Sequence, residues 1–218
     1  MPPGLGAIIP LKMQAASLPV PFAEFSIEDP WALPEGVSPV ELREATAGGT
    51  PRLATTAALW WDAQCLNVLF AGDDDAVIAS YFERDQPLWQ EDVVEIFVAP
   101  EAPTKYFEVE VNPLGTVFDA VIHSPDGVRG TMRTDLAWTC DGIFVANRRT
   151  PHHFATILRL PFASFGMVAP KKGDRWRGNL FRVDRNPMHG DEYSAWRPAL
   201  KTPADFHVVA AFGEWVFG

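Results

Sequence analysis

The chain is poor in cysteine, in tyrosine and in basic residues, and it has no long apolar run. Its 218 residues hold two cysteines, Cys65 and Cys140, far apart and in no CxxC spacing. That removes the support for a thiolate zinc site. The pair is compatible with a disulfide in an exported chain and with two buried thiols. Lys and Arg number 18 against 28 Asp and Glu, a net charge of −10. Such a field repels phosphate backbones and anionic lipid, so neither nucleic acid nor membrane is expected as a partner. No apolar stretch reaches the length that crosses a bilayer. The opening "MPPGLGAIIPLKMQAASLPVPFAEF" has no basic residue ahead of its apolar patch, which Pro2, Pro3 and Pro10 interrupt; no signal peptide is read there. GxSxG, HExxH, P-loop and GxGxxG spacings are all absent, so the common catalytic and nucleotide-binding signatures are missing.

Helical periodicity is missing too, and what replaces it is a series of short runs between turn signals. "RLATTAALWWD", "CLNVLFAG", "DVVEIFVAP", "KYFEVEVNP", "TVFDAVIHS", "GIFVANRRT", "HHFATILRLP", "RWRGNLFRVDRN" and "GEWVF" read as strands. Pro, Gly, Asn and Asp punctuate them. "VSPVELREA" reads as an earlier short strand, and "PFASFG" has room for one helical turn. The expected fold is all-β, an antiparallel β-sandwich with few short helical turns. Residues 1–24 are expected to form an irregular lead-in, and 25–218 one domain.

Three groups tempt an assignment of chemistry. Glu91, Asp92 and Glu95 resemble a glycosidase pair, but on a strand Asp92 and Glu95 face opposite sides and cannot flank one bond. Acids from different strands could still meet in space. Met188 and His189 are haem-ligand types, yet adjacent residues do not reach both faces of a porphyrin. His152 and His153 likewise face opposite sides of a strand. "GDDDA" (Asp73, Asp74, Asp75) offers hard oxygen ligands suited to calcium, without EF-hand spacing.

The strands themselves say more. Glu95 stands in an otherwise apolar run. Glu108, Glu110 and Asn112 share one face of their strand, and Arg182 and Asp184 share one face of theirs. Beside these lie Trp89, Trp196 and Phe206 next to proline-bearing loops, in a chain with eight tryptophans. Aromatic plates beside paired polar groups suit a sugar, whose C–H faces cover rings and whose hydroxyls are paired donors and acceptors.

At these residues the chain resembles carbohydrate-binding module family 9. "LWQEDVVEIFVAP", "YFEVEVNPLGTVFDA", "RWRGNLFRVDR", "AWRPALKTPADFHVVAAFG" and "ALWWDAQCLNVLFAGDDD" carry the likeness, in order, across residues 25 to 217. The resemblance implies a β-sandwich that holds a mono-, oligo- or polysaccharide between two aromatic rings without catalysis. It also implies structural calcium, a secreted setting and a glycanase as partner. Trp89 falls at one ring position. The second position holds Phe206 where better-known members have tryptophan, and Trp196 lies on the same segment. Glu95 matches an acid that bonds sugar hydroxyls. Glu108 falls where those members carry a basic residue. Arg182 and Asp184 match a polar strand face. The fold is shared with haem-binding electron-transfer domains, and a carbohydrate-active hydrolase is the other alternative.

Overall fold

The computed structural model describes residues 17–218. Among the described residues fourteen strands follow one another: β1 Ser17–Val20, β2 Val40–Glu41, β3 Arg43–Glu44, β4 Thr55–Trp61, β5 Cys65–Asp73, β6 Val93–Ala99, β7 Lys105–Val111, β8 Val117–His123, β9 Arg133–Asp135, β10 Phe144–Arg149, β11 His153–Pro161, β12 Arg175–Asp184, β13 Glu192–Ala195 and β14 Gly213–Phe217. Helical structure among the described residues is confined to four 3-10 turns, of which "FASF" at Phe162–Phe165 is the longest.

Two sheets form. The larger runs β1-β14-β12-β6-β7-β8-β9, with β13 paired to β12 and β3; the smaller runs β10-β11-β5-β4-β2. The strands pair antiparallel except for β1 against β14, and a lone parallel bridge joins Phe22 to Trp61. The stretch "VSPVELREA" divides at Leu42: β2 joins the smaller sheet and β3 the larger. β12 is long enough to have two neighbours on one edge, β14 along its first half and β13 along its second.

The core lies between the sheets. Val94, Ile96, Val98, Val109 and Leu180 from the larger sheet meet Leu59, Leu66, Val68, Phe70 and Leu158 from the smaller. Period-2 alternation sends one set of side chains inward from each strand, and burial of those side chains drives the association. The outward faces are covered as well. Phe97, Tyr106, Phe118, Phe181 and Phe212 make a second apolar layer on the outside of the larger sheet, beneath loops. This explains why every residue of β6 is buried.

Two facing glycines fix the packing of two tryptophans. Gly178 pairs with Gly213 in register. A Cβ on Gly178 would run into the Trp215 ring and the Phe97 carbonyl, and one on Gly213 into the Trp196 ring. Trp196 and Trp215 are consequently fully buried side chains.

Candidate functional site

The outer face of the larger sheet carries a cleft of about 610 Å³. Its floor follows from register. Glu95 lies beside Phe181 on β12 and Glu110 on β7. Glu110 lies beside Phe118 on β8, and Glu108 beside Phe97 and Ala120. Alternation therefore puts Glu95, Glu108 and Glu110 on one face, between Phe181 and Phe118. One carboxylate oxygen from each of the three lies within 4.8 Å of the others. All three residues are buried, at 2, 5 and 1 % exposure.

Aromatic rings stand at either side of this floor. Phe206, from the loop before β14, stacks on Phe181. Trp89 belongs to the 3-10 turn Leu88–Gln90. The turn sends Leu88 into the apolar layer and leaves Trp89 outside, 44 % exposed. The indole meets Phe118 edge-on, with centroids 5.1 Å apart. Arg185, just past β12, ties the turn down by donating to the Trp89 carbonyl.

The electrostatics are those of crowded acids. Burial, then the charge of Glu108, pushes the Glu95 carboxyl well above the usual carboxylate range. Burial and the two neighbouring acids do the same to Glu110. Burial raises Glu108 to about 7. His207 beside them is pushed down to about 4, chiefly by burial and then by Arg129. It is neutral at ordinary pH, with Nδ1 2.7 Å from the Tyr106 hydroxyl. Carboxyl groups held protonated in this way can donate as well as accept.

Of the residues expected from the sequence, Trp89, Glu95, Glu108 and Phe206 all line this cleft. Arg182 and Asp184 do not. Register sets Arg182 beside Val94 and Phe181 beside Glu95, so Arg182 and Asp184 point into the sandwich. There Arg182 donates to Thr55 Oγ1 at 3.0 Å, to the Asp73 carbonyl at 2.6 Å and to Asp184 at 2.7 Å. Its guanidinium also lies 4.6 Å from the Phe154 ring centre. Trp196 is core, held over Gly213. Alternation within a strand was readable, but which face of β12 joins which face of β6 is a matter of register.

Asp73, Asp74 and Asp75 do not converge. Asp73 pairs with His153 at 3.0 Å, Asp74 with Arg149, and Asp75 with Arg52 and Asn186. These three residues do not fit a common calcium ion. Asp74 instead meets Asp92 and Asp184, with oxygens within 4.8 Å of one another. That cluster is matched by guanidinium: Arg149 reaches Asp74, and Arg182 and Arg52 reach Asp184. Asp92 accepts the backbone N–H groups of Ile78 and Arg185 at 2.7 Å each, and burial still raises it to about 6. Its separation from Glu95 by the thickness of the sheet agrees with the opposite faces expected of them.

Both cysteines are buried free thiols. Met188, 86 % exposed, and His189 sit on a turn whose N–H groups bond Asn186. Glu110, Phe118, Arg185 and His207 also line the cleft, beyond the residues expected from the sequence. Glu110 and Phe118 had a signal: each alternates with a neighbour on the same strand face. Arg185 and His207 arrive from loops, where no period marks direction.

The chain has relatives. A model of carbohydrate-binding family 9 matches residues 50–217. An extracellular protein of Arthroderma benhamiae is 27% identical over 183 residues, covering 75% of this chain and 78% of its own. A crystal structure from Bacteroides uniformis superposes with a TM-score of 0.71 at 17% identity, covering 93% of this chain and 99% of that one. A family 9 module of Caldicellulosiruptor kristjanssonii in complex with glucose gives a TM-score of 0.62 at 16% identity, covering 93% and 95%. With three quarters of its length matched by the family model, the chain belongs to carbohydrate-binding family 9.

Proposed function

We propose that the cleft binds a saccharide without turning it over, with Trp89 and Phe206 as its aromatic sides and Glu95, Glu108 and Glu110 beneath it. The observation that supports this most is the order across the sheet: ring, carboxyl groups on the two middle strands, ring. A pyranose offers apolar C–H faces to such rings and vicinal hydroxyls to the carboxyls between them. Family membership supports the same reading, and the Caldicellulosiruptor kristjanssonii module has been seen with glucose and with cellotriose. In this reading the chain holds the sugar and a glycanase partner cleaves it.

Calorimetric titration with a panel of mono- and oligosaccharides, run beside an assay for new reducing ends, tests the proposal. Saturable heat with one or more sugars and no new ends is the expected result. Release of reducing ends would instead mark the clustered glutamates as an acid and nucleophile.

A further inference from the structure

The cleft gathers more acidic groups than a neutral sugar needs. Besides the three glutamates, its lining includes Asp85 and Asp205, against Arg129 and Arg185. Both arginines are engaged at the rim. Arg129 donates to Asp205 at 2.8 Å, and Arg185 donates to Asp191 and to the Tyr193 hydroxyl as well as to Trp89. They act on Glu108 and Glu95 through space. Neutral His207 holds its Nε2 4.0 Å from Glu108. At the centre, Glu110 is 1 % exposed, and neither of its carboxylate oxygens has a hydrogen-bond partner. The Trp89 backbone N–H favours its charged form from nearby but falls short of hydrogen-bond geometry. Beyond a proton that Glu110 can share with Glu108, the chain aims no donor at this buried acid, and such a group is costly.

We propose that the missing donor comes from the ligand, and that the cleft selects a sugar bearing a free ammonium group, seated among Glu95, Glu108 and Glu110. This rests on the saccharide reading above. An ammonium group has three donors and no acceptor. Three carboxylate oxygens within 4.8 Å of one another can all approach a nitrogen at their centre to roughly 2.8 Å, the length of a charge-assisted hydrogen bond. The flanking rings add a favourable field for a cation near their faces. A bare divalent cation would meet the acids but leave Trp89 and Phe206 without a role in a cleft of about 610 Å³.

The proton balance follows from the raised carboxyls. Before binding, protons neutralise part of the cluster. An entering ammonium replaces them, so carboxylic acid becomes carboxylate and the protons pass to the buffer. Binding of a neutral sugar exchanges no such charge.

The test is isothermal calorimetry near pH 7 in EDTA, repeated in two buffers of different ionisation enthalpy. The ligands are glucosamine and its β-1,4 trimer against glucose, cellotriose and the N-acetylglucosamine trimer. Glucosamine and its trimer should bind at least ten-fold more tightly than their neutral counterparts and release protons. Glu110→Gln and Glu108→Gln should each shrink both the preference and the proton release. Both variants remove buried charge, and a thermal melt checks that they fold. Equal or better binding of glucose or of the N-acetyl trimer would overturn the proposal while leaving the saccharide reading intact. Neutral-sugar binding that appears only on adding calcium in place of EDTA would overturn it in favour of a metal bridge. No binding of any sugar would overturn both.

Discussion

Phe206 lies almost flat on Phe181, with ring centroids 4.2 Å apart and planes 14° from parallel. Phe181 is fully buried on β12, so it holds a loop residue in a fixed orientation over the sheet. Tyr193 braces the same ring edge-on at 6.1 Å. An aromatic residue fixed in this way can offer its other face to a ligand at little entropic cost. Phe206→Ala should therefore lower saccharide affinity about ten-fold or more, while lost stacking costs roughly 1 kcal/mol of stability. Phe206→Trp should retain binding. Affinity unchanged in Phe206→Ala would remove this ring from the site.

Arg182 should behave as a fold residue. It is the buried centre of a network that includes Thr55, Asp73 and Asp184. Removing one partner of a buried pair leaves an uncompensated charge and typically costs about 3–5 kcal/mol. Denaturant melts of Arg182→Met should show a loss of that order. Whatever folded protein remains should bind sugar with wild-type affinity. A selective loss of affinity with a normal melt would contradict the placement.

Stability should fall as pH rises from about 6.5 to about 8. Glu108 is raised to about 7 from an ordinary 4.5, and Glu95 and Glu110 are raised as well. The folded chain thus keeps protons that the unfolded chain has already lost in this range, so the folded state is stabilised less as those protons leave. His207 works in the opposite sense, but only below its ordinary 6.5. Glu110→Gln should flatten the decline and raise the melting temperature at the upper end. A melting temperature that climbs across this window would contradict it.

EDTA and added calcium should leave the melting temperature within a degree or so of each other. The Asp74, Asp92 and Asp184 cluster is already matched by Arg149, Arg182 and Arg52, and a ligand stabilises only if it binds the native state. A marked rise with calcium would mean that the metal displaces guanidinium there.

Much of this was legible in the sequence, for a physical reason. Alternation in "KYFEVEVNP" and the lone acid in "DVVEIFVAP" reflect strands covered on both faces, and Glu95 and Glu108 do come together. Trp89 was visible as an aromatic residue at a proline-marked turn, where burying Leu88 turns its neighbour outward. What could not be read was register. Arg182 and Asp184 share a face with each other but not with Glu95, because the antiparallel pairing of β12 with β6 sets Phe181 opposite Glu95. Trp196 was equally opaque: just past β13, its burial depends on Gly213, seventeen residues later on β14. The loop "GDDDA" looked like a ligand set, but its three side chains diverge to three separate partners.

The most direct test of the cleft as the saccharide site is Trp89→Ala, with calorimetry against the sugar that the wild type binds and a thermal melt on the same sample. Trp89 is 44 % exposed and meets Phe118 only by its edge, so the melt should stay close to wild type. By analogy with stacking of flat rings on aromatic side chains, affinity should fall by about 1–3 kcal/mol, a loss of roughly five- to 150-fold. Unaltered affinity, or a collapsed melt with no folded protein left to titrate, would contradict the placement of the sugar beside Trp89.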